Sequence, residues 1–165
     1  MKFTPIAALF SASICASGCA TFQPVPKDYT GPTAVLADSG IAEDGSKAQL
    51  FAAVEIDGNG IRNAFRASAE ASQGRGNSLT PIFSDRKVKA SPMKVTLRCS
   101  HATGAPIAAI ASQMAGTFFS VEGVVDFSPS PDAVYIVKGE LKKERSTCWI
   151  EDQATGKAVT TVVAK

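Results

Sequence analysis

The residues of this chain that could do chemistry are few, and their spacing narrows the chemistry further. The sequence holds four cysteines and one histidine in 165 residues. A single His101 rules out a multi-histidine metal site. Placed after Ser100 and before a Gly-Ala-Pro loop, it reads as a surface or strand-end residue. A serine hydrolase with a nucleophile elbow would carry G-x-S-x-G, and Ser78 in GRGNS lacks the flanking glycines. The carboxylate pairs Glu43-Asp44 and Glu151-Asp152 are adjacent in sequence, which on a strand points them to opposite faces. DGNG at 57–60 lacks the later bidentate glutamate and the spacing of a calcium loop, so it reads as a hairpin turn. Cys99 and Cys148 are not in C-x-x-C spacing, so a structural bridge is favoured over a redox pair. These residues predict no catalytic group, no metal site and no resident cofactor.

One charge feature stands out. From Ile61 to Arg98 there are five arginines and three lysines against Glu70 and Asp85, a net of +6 in a chain whose total is +2. Within it, SQGRGNS holds Arg75 between two glycines. Such a loop can present guanidinium and backbone N–H groups to an anion or a carboxylate. Gln73, Arg75, Arg86 and Lys87 form the expected contact set, for lipopolysaccharide phosphates or an acidic protein. The alternative is a solvated polar face of an antiparallel sheet.

The N-terminus supplies the address. Lys2 is a single positive residue, followed by a largely apolar segment from Phe3 to Ile14. That is shorter than the roughly 20 apolar residues a bilayer span needs, and it reads as a secretory signal peptide. Ala16-Ser17-Gly18-Cys19, inside SICASGCATF, then resembles the lipobox of bacterial lipoproteins, with Ala16 where that family usually has Leu. The resemblance implies removal of residues 1–18, Cys15 included. It also implies a diacylglycerol and an acyl chain on Cys19, and attachment to the membrane through them. Two or more chains are what stable anchoring requires. Ala20 is not the aspartate that commonly retains such proteins in the inner membrane, so the resemblance implies the outer membrane, facing the periplasm or the surface. An ordinary signal peptide cut after Gly18 or Ala20 would instead leave a soluble periplasmic protein. Nucleic acid is not an expected partner of an exported chain with a net charge of +2.

With Cys15 removed and Cys19 acylated, Cys99 and Cys148 remain. An exported compartment permits disulfides, and two cysteines allow one pairing. Cys99 alternates with Val95 and Leu97, and Cys148 with Ile150, so both face a core. A bridge across two sheets would contribute about 4 kcal/mol by the chain-entropy model. Two unpaired buried thiols are the alternative.

The elements that position these residues read as β. Residues 19–47, with Pro24, Pro26, Pro32, Gly31, Gly40 and Gly45, read as a lipid-anchored tether in which TAVLADS is a possible first edge strand. Residues 48–165 read as the domain. In LFAAVEI, residues Leu50, Ala52, Val54 and Ile56 share one parity, and DGNG turns the chain into a partner strand beginning at Ile61. SLTPIF, VKA and MKVTLRCS follow as further strands. Ile107, Ile110 and Met114 recur at three and four, which fits one short helix or turn near 106–115. In TFFSVEGVVDF, Phe119, Val121, Gly123, Val125 and Phe127 take one face. VYIVKGEL follows, and STCWIED pairs through QATG with KAVTTVVA. Seven to nine such strands predict an all-β antiparallel β-sandwich, immunoglobulin-like or transthyretin-like.

The segment from Val121 to Val159 resembles uncharacterised bacterial lipoproteins with a strand, a Pro-rich turn, an aromatic strand and a D-x-x-T-G hairpin in series. It is also distantly similar to periplasmic sandwich modules of the PEGA type. Those motifs are turn and core residues and transfer no catalytic role. The expected function is that of a non-enzymatic, outer-membrane-anchored module for envelope interaction or structure, accessory to a secretion or surface assembly. A small envelope enzyme acting on cell-wall glycan or peptide is the alternative.

Overall fold

The computed structural model describes residues 22–165, so the expected signal peptide at 1–18 and the expected acylation site Cys19 lie outside the described residues. In chain order the first half contains β1 (Thr33–Ala37), β2 (Ser39–Ala42), β3 (Lys47–Ile56), β4 (Asn59–Gly60), α1 (Ala64–Ser72) and β5 (Asp85–Lys89). The second contains β6 (Met93–Thr103), α2 (Pro106–Met114), β7 (Ser120–Phe127), β8 (Val134–Glu140), β9 (Thr147–Asp152), β10 (Lys157–Ala158) and β11 (Val163–Ala164). One sheet runs β10-β9-β8-β1-β5 with β11 on β9; the other runs β2-β3-β6-β7 with β4 on β3. All pairings are antiparallel except β1 with β8. This is an all-β sandwich, as the alternation predicts.

The core follows from residue parity. Side chains on a strand alternate between faces, and Val95, Leu97 and Cys99 of β6, Val121, Val125 and Phe127 of β7, and Tyr135, Val137, Cys148 and Ile150 of the facing sheet share one buried cluster. Phe127 and Tyr135 meet edge to face at 5.0 Å between ring centroids. Cys99 and Cys148 are bonded, with Cα atoms 5.8 Å apart, so the bridge joins one sheet to the other. Gly139 makes the approach possible: a Cβ there would lie 2.6 Å from Cys99 Sγ. The DGNG turn also forms as expected, with Asp57 and Gly58 in the left-handed region and Asn59 pairing with Ile56.

Four readings of the sequence are corrected. TAVLADS is not an edge strand and does not belong to a tether: β1 lies between β8 and β5, with Leu36 and Ala34 in the core. The fold therefore begins near Thr33, before the predicted boundary at 48. Ile61 does not start a long partner strand. After the two residues of β4, Asn63 Oδ1 accepts from Arg66 N–H and starts α1; an asparagine before an Ala-rich stretch is a favourable N-cap. SLTPIF is not a strand either. Ser72 Oγ accepts from Thr80 N–H and Ser68 Oγ from Ile82 N–H, so this segment is held by α1 serines instead of a ladder. Finally, the parity of β3 breaks at an irregularity between Ala53 and Glu55. Leu50, Ala52 and Val54 pack outward, with Phe65 of α1 contacting both outer clusters, while Ile56 joins the central core. An extra residue in a strand reverses the faces beyond it.

The sandwich has two distinguishable ends. At one, Thr33 accepts a backbone hydrogen bond from Asp132, beside the loop that follows Phe127. At the other, α2 joins the end of β6 to the start of β7. The eleven residues of β6 separate them by about 35 Å.

Candidate functional surface

The far end gathers several loops around α2. The 43–47 hairpin, the Gln73–Leu79 loop and the start of α2 are tied by backbone bonds from Leu79 N–H to Gly45 O and from Gly104 N–H to Ser46 O, at 2.8 and 3.0 Å. A shallow groove of about 340 Å³ runs between Gln73, Gly74 and Gly76 on one side and Thr103, Gly104 and Pro106 on the other. It joins the predicted glycine-rich contact loop to the first turn of α2. On the opposite flank, Phe118, Phe119 and Ser120 share a recess with Lys142, Lys143, Glu144, Ser146 and Lys165.

Helix α2 is the unusual element of this end. The spacing of Ile107, Ile110 and Met114 correctly predicts the helix, but those side chains are 67%, 52% and 86% exposed, and no residue of α2 is buried. With Ala111 they form an i, i+3, i+4, i+7 stripe that in a globular protein ordinarily faces the core. Here the half-buried residues are Ala108, Ala109 and Ser112. The helix has Pro106 in its first turn, where the missing N–H costs nothing. Its last turn is closed by the chain itself: Ala115 N–H donates to Ala111 O, Gly116 N–H to Gln113 O, and both Thr117 N–H and Oγ1 to Ser112 O.

Beneath this surface lies a polar cluster that single-residue reading missed. His101 is buried, not at the surface. Its Nδ1 accepts from Phe119 N–H at 2.9 Å, which leaves the proton on Nε2 for Glu43 Oε1 at 3.0 Å. Glu43 also accepts from Gln49 Nε2 and pairs with Lys47. Partial burial opposes ionisation of Glu43, but the hydrogen bonds from Gln49 and His101 and the Lys47 charge outweigh it and hold its pKa below the ordinary 4.5. Lys47 Nζ reaches on to Thr117 O at the foot of α2. The cluster thus fixes the hairpin and the α2 connection relative to β6.

The predicted contact residues separate. Gln73 and Arg75 are exposed in the loop after α1, with Arg75 Nη1 donating to Thr80 Oγ1. Lys87 is exposed on β5, the end strand of its sheet. Arg86 is not available to a partner: its side chain is only 10% exposed and pairs with Asp38. Asp38 also accepts from Ala53 N–H and from Ala64 N–H at the start of α1. Burial pushes the Asp38 carboxyl above its ordinary range, against the pull of Arg86 and the backbone donors. The pair is a joint between β1, β3, β5 and α1, and no sequence spacing reveals partners 48 residues apart.

Among the described residues no three of His, Cys, Asp and Glu converge in a metal-binding arrangement, and no helix is long and apolar enough to cross a membrane. Comparison of the chain with protein-family models, with curated proteins and with solved structures found no match.

Proposed function

We propose that this protein is an outer-membrane lipoprotein, acylated at Cys19, whose sandwich serves as a non-enzymatic interaction module of the envelope, accessory to a secretion or surface assembly. The observation that carries the contact half of this reading is the exposed apolar face of α2, joined by one groove to the Gln73–Asn77 loop with Arg75. The anchor half rests on the lipobox-like Ala16-Ser17-Gly18-Cys19. Tethering confines the domain to a membrane and raises its effective concentration near a membrane-bound partner. The described chain enters the fold at the end away from α2.

Photo-crosslinking in living cells from Gln73 and from Ile110 tests this. An adduct at both positions, weakened by Arg75→Ala, is expected. Absence of any adduct at either position would overturn the assignment of this surface. The anchor is tested separately by fatty-acid labelling, which should be lost in Cys19→Ser; unchanged labelling would contradict it.

A further inference from the structure

We infer that the far end docks on an anionic lipid bilayer, with the apolar face of α2 lying in the membrane interface. This rests on the reading of that end as the contact surface and names its occupant. From Cys99 through Val121 the chain runs 23 residues without an Asp, Glu, Lys or Arg. The side of a segment that enters the hydrocarbon boundary must be free of charge, and backbone groups placed there must be satisfied within the chain. The segment meets the first, and the helix ends go part of the way to the second: Pro106 offers no N–H, Ala108 and Ala109 N–H donate to Ala105 O, and the carbonyls of Ala111, Ser112 and Gln113 are taken up within the chain. The stripe carries no Trp, Tyr or Arg of the kind that anchors protein hot spots in pockets.

Charge complementarity selects anionic lipid. The loops around α2 carry Lys47, Arg75, Lys142, Lys143, Arg145 and Lys165 against Glu43, Asp44, Glu140 and Glu144. Lys142 pairs with Glu140 and Lys47 with Glu43, while Lys143 and Arg145 enter no ion pair among the described residues. Arg75 stands beyond the groove at the first turn of α2, and Lys142 and Lys143, with Glu144 between them and Ser146, stand beside Phe118 after its last turn. An apolar helix flanked by cations at both ends matches the two attractions that hold interfacial helices on membranes. Val124 gives the contrast. It is 59% exposed, but on β7 it lies between Glu122 and Asp126, whose side chains pair with Arg98 and Lys94.

The test uses the full chain carrying Cys19→Ser, so that no acyl chain contributes, and Trp149→Phe, so that a single probe reports. Ile110→Trp and Val124→Trp are compared on vesicles of phosphatidylglycerol and phosphatidylcholine with brominated acyl chains. The Ile110→Trp probe should be quenched at least about tenfold more than the Val124→Trp probe. The difference should vanish with Ile107→Ser and Met114→Ser added, and shrink on pure phosphatidylcholine. Equal quenching at the two positions, which attachment through the N-terminal apolar segment would produce, overturns the inference. Equal quenching together with a protein adduct at Ile110 in cells would leave the contact surface standing with a protein occupant. Equal quenching with no adduct would remove both.

Discussion

Two helices of nine residues each, both rich in alanine, sit on this sandwich and are used in opposite ways. Helix α1 is the more polar of the two, yet it buries Ala64, Ala67, Ser68 and Ser72, takes an N-cap from Asn63 and is held at its first turn by Asp38. Helix α2 is the more apolar, yet it buries nothing and has no side-chain cap at its N-terminus. The difference teaches that apolar periodicity identifies a helix without identifying what covers it. Helix α1 belongs to the fold because serine hydroxyls and a buried carboxylate fasten it. Helix α2 belongs to the surface because its apolar stripe is exposed, while Ala108, Ala109 and Ser112 are its half-buried residues.

The comparison breaks most severely at Asp38. Asp38→Ala leaves Arg86 buried without its counter-charge and frees two backbone donors of β3 and α1. Removing one partner of a buried pair costs about 3–5 kcal/mol, so urea unfolding should show a loss of that order; a loss below about 1 kcal/mol would deny Asp38 its role as the joint. The Cys99–Cys148 bridge comes next. It closes 49 residues and holds the base of the β6–α2–β7 hairpin to the facing sheet. Replacing both cysteines by serine should cost about 2–4 kcal/mol in the same assay, and an unchanged unfolding midpoint would contradict the bridge.

A smaller effect sharpens the contrast between the helices. Asn63→Ala removes the α1 cap and should cost about 1 kcal/mol, with faster amide exchange in α1 and none of that change in α2. Smallest is the acid response of the Glu43 cluster. Because the folded protein holds Glu43 below its ordinary 4.5, its contribution is present above that value and is lost as pH falls through the folded value. Amide exchange of the 43–47 hairpin should rise in that window below pH 4.5, and Glu43→Gln should abolish the pH dependence of the rise.

The sandwich core and the disulfide were legible because strand parity is local: Val95, Leu97 and Cys99 declare one face within five residues. Helix α2 was legible from its spacing for the same reason. What escaped depended on contacts across the chain. The inward turn of Arg86 requires Asp38, and the interior place of β1 requires β8 and β5, neither of which leaves a mark in the neighbouring residues. The irregularity in β3 reversed a parity that looked continuous. Helix α1 did leave a local signal, Asn63 ahead of an alanine-rich run, outweighed by the hairpin turn just before it. Of the predicted contact set, the exposed loop position of Gln73 and Arg75 matched their glycine-rich surroundings, whereas α2 entered the candidate surface only once its exposure was known.

The central claim is that the apolar face of α2 serves contact and not folding. Urea unfolding of the triple variant Ile107→Ser, Ile110→Ser, Met114→Ser tests it most directly. The account predicts an unfolding free energy within about 0.5 kcal/mol of wild type, as for surface substitutions away from packed features. A loss of about 2 kcal/mol or more, the scale of buried aliphatic side chains, would show that these residues pack within the fold and would contradict the account.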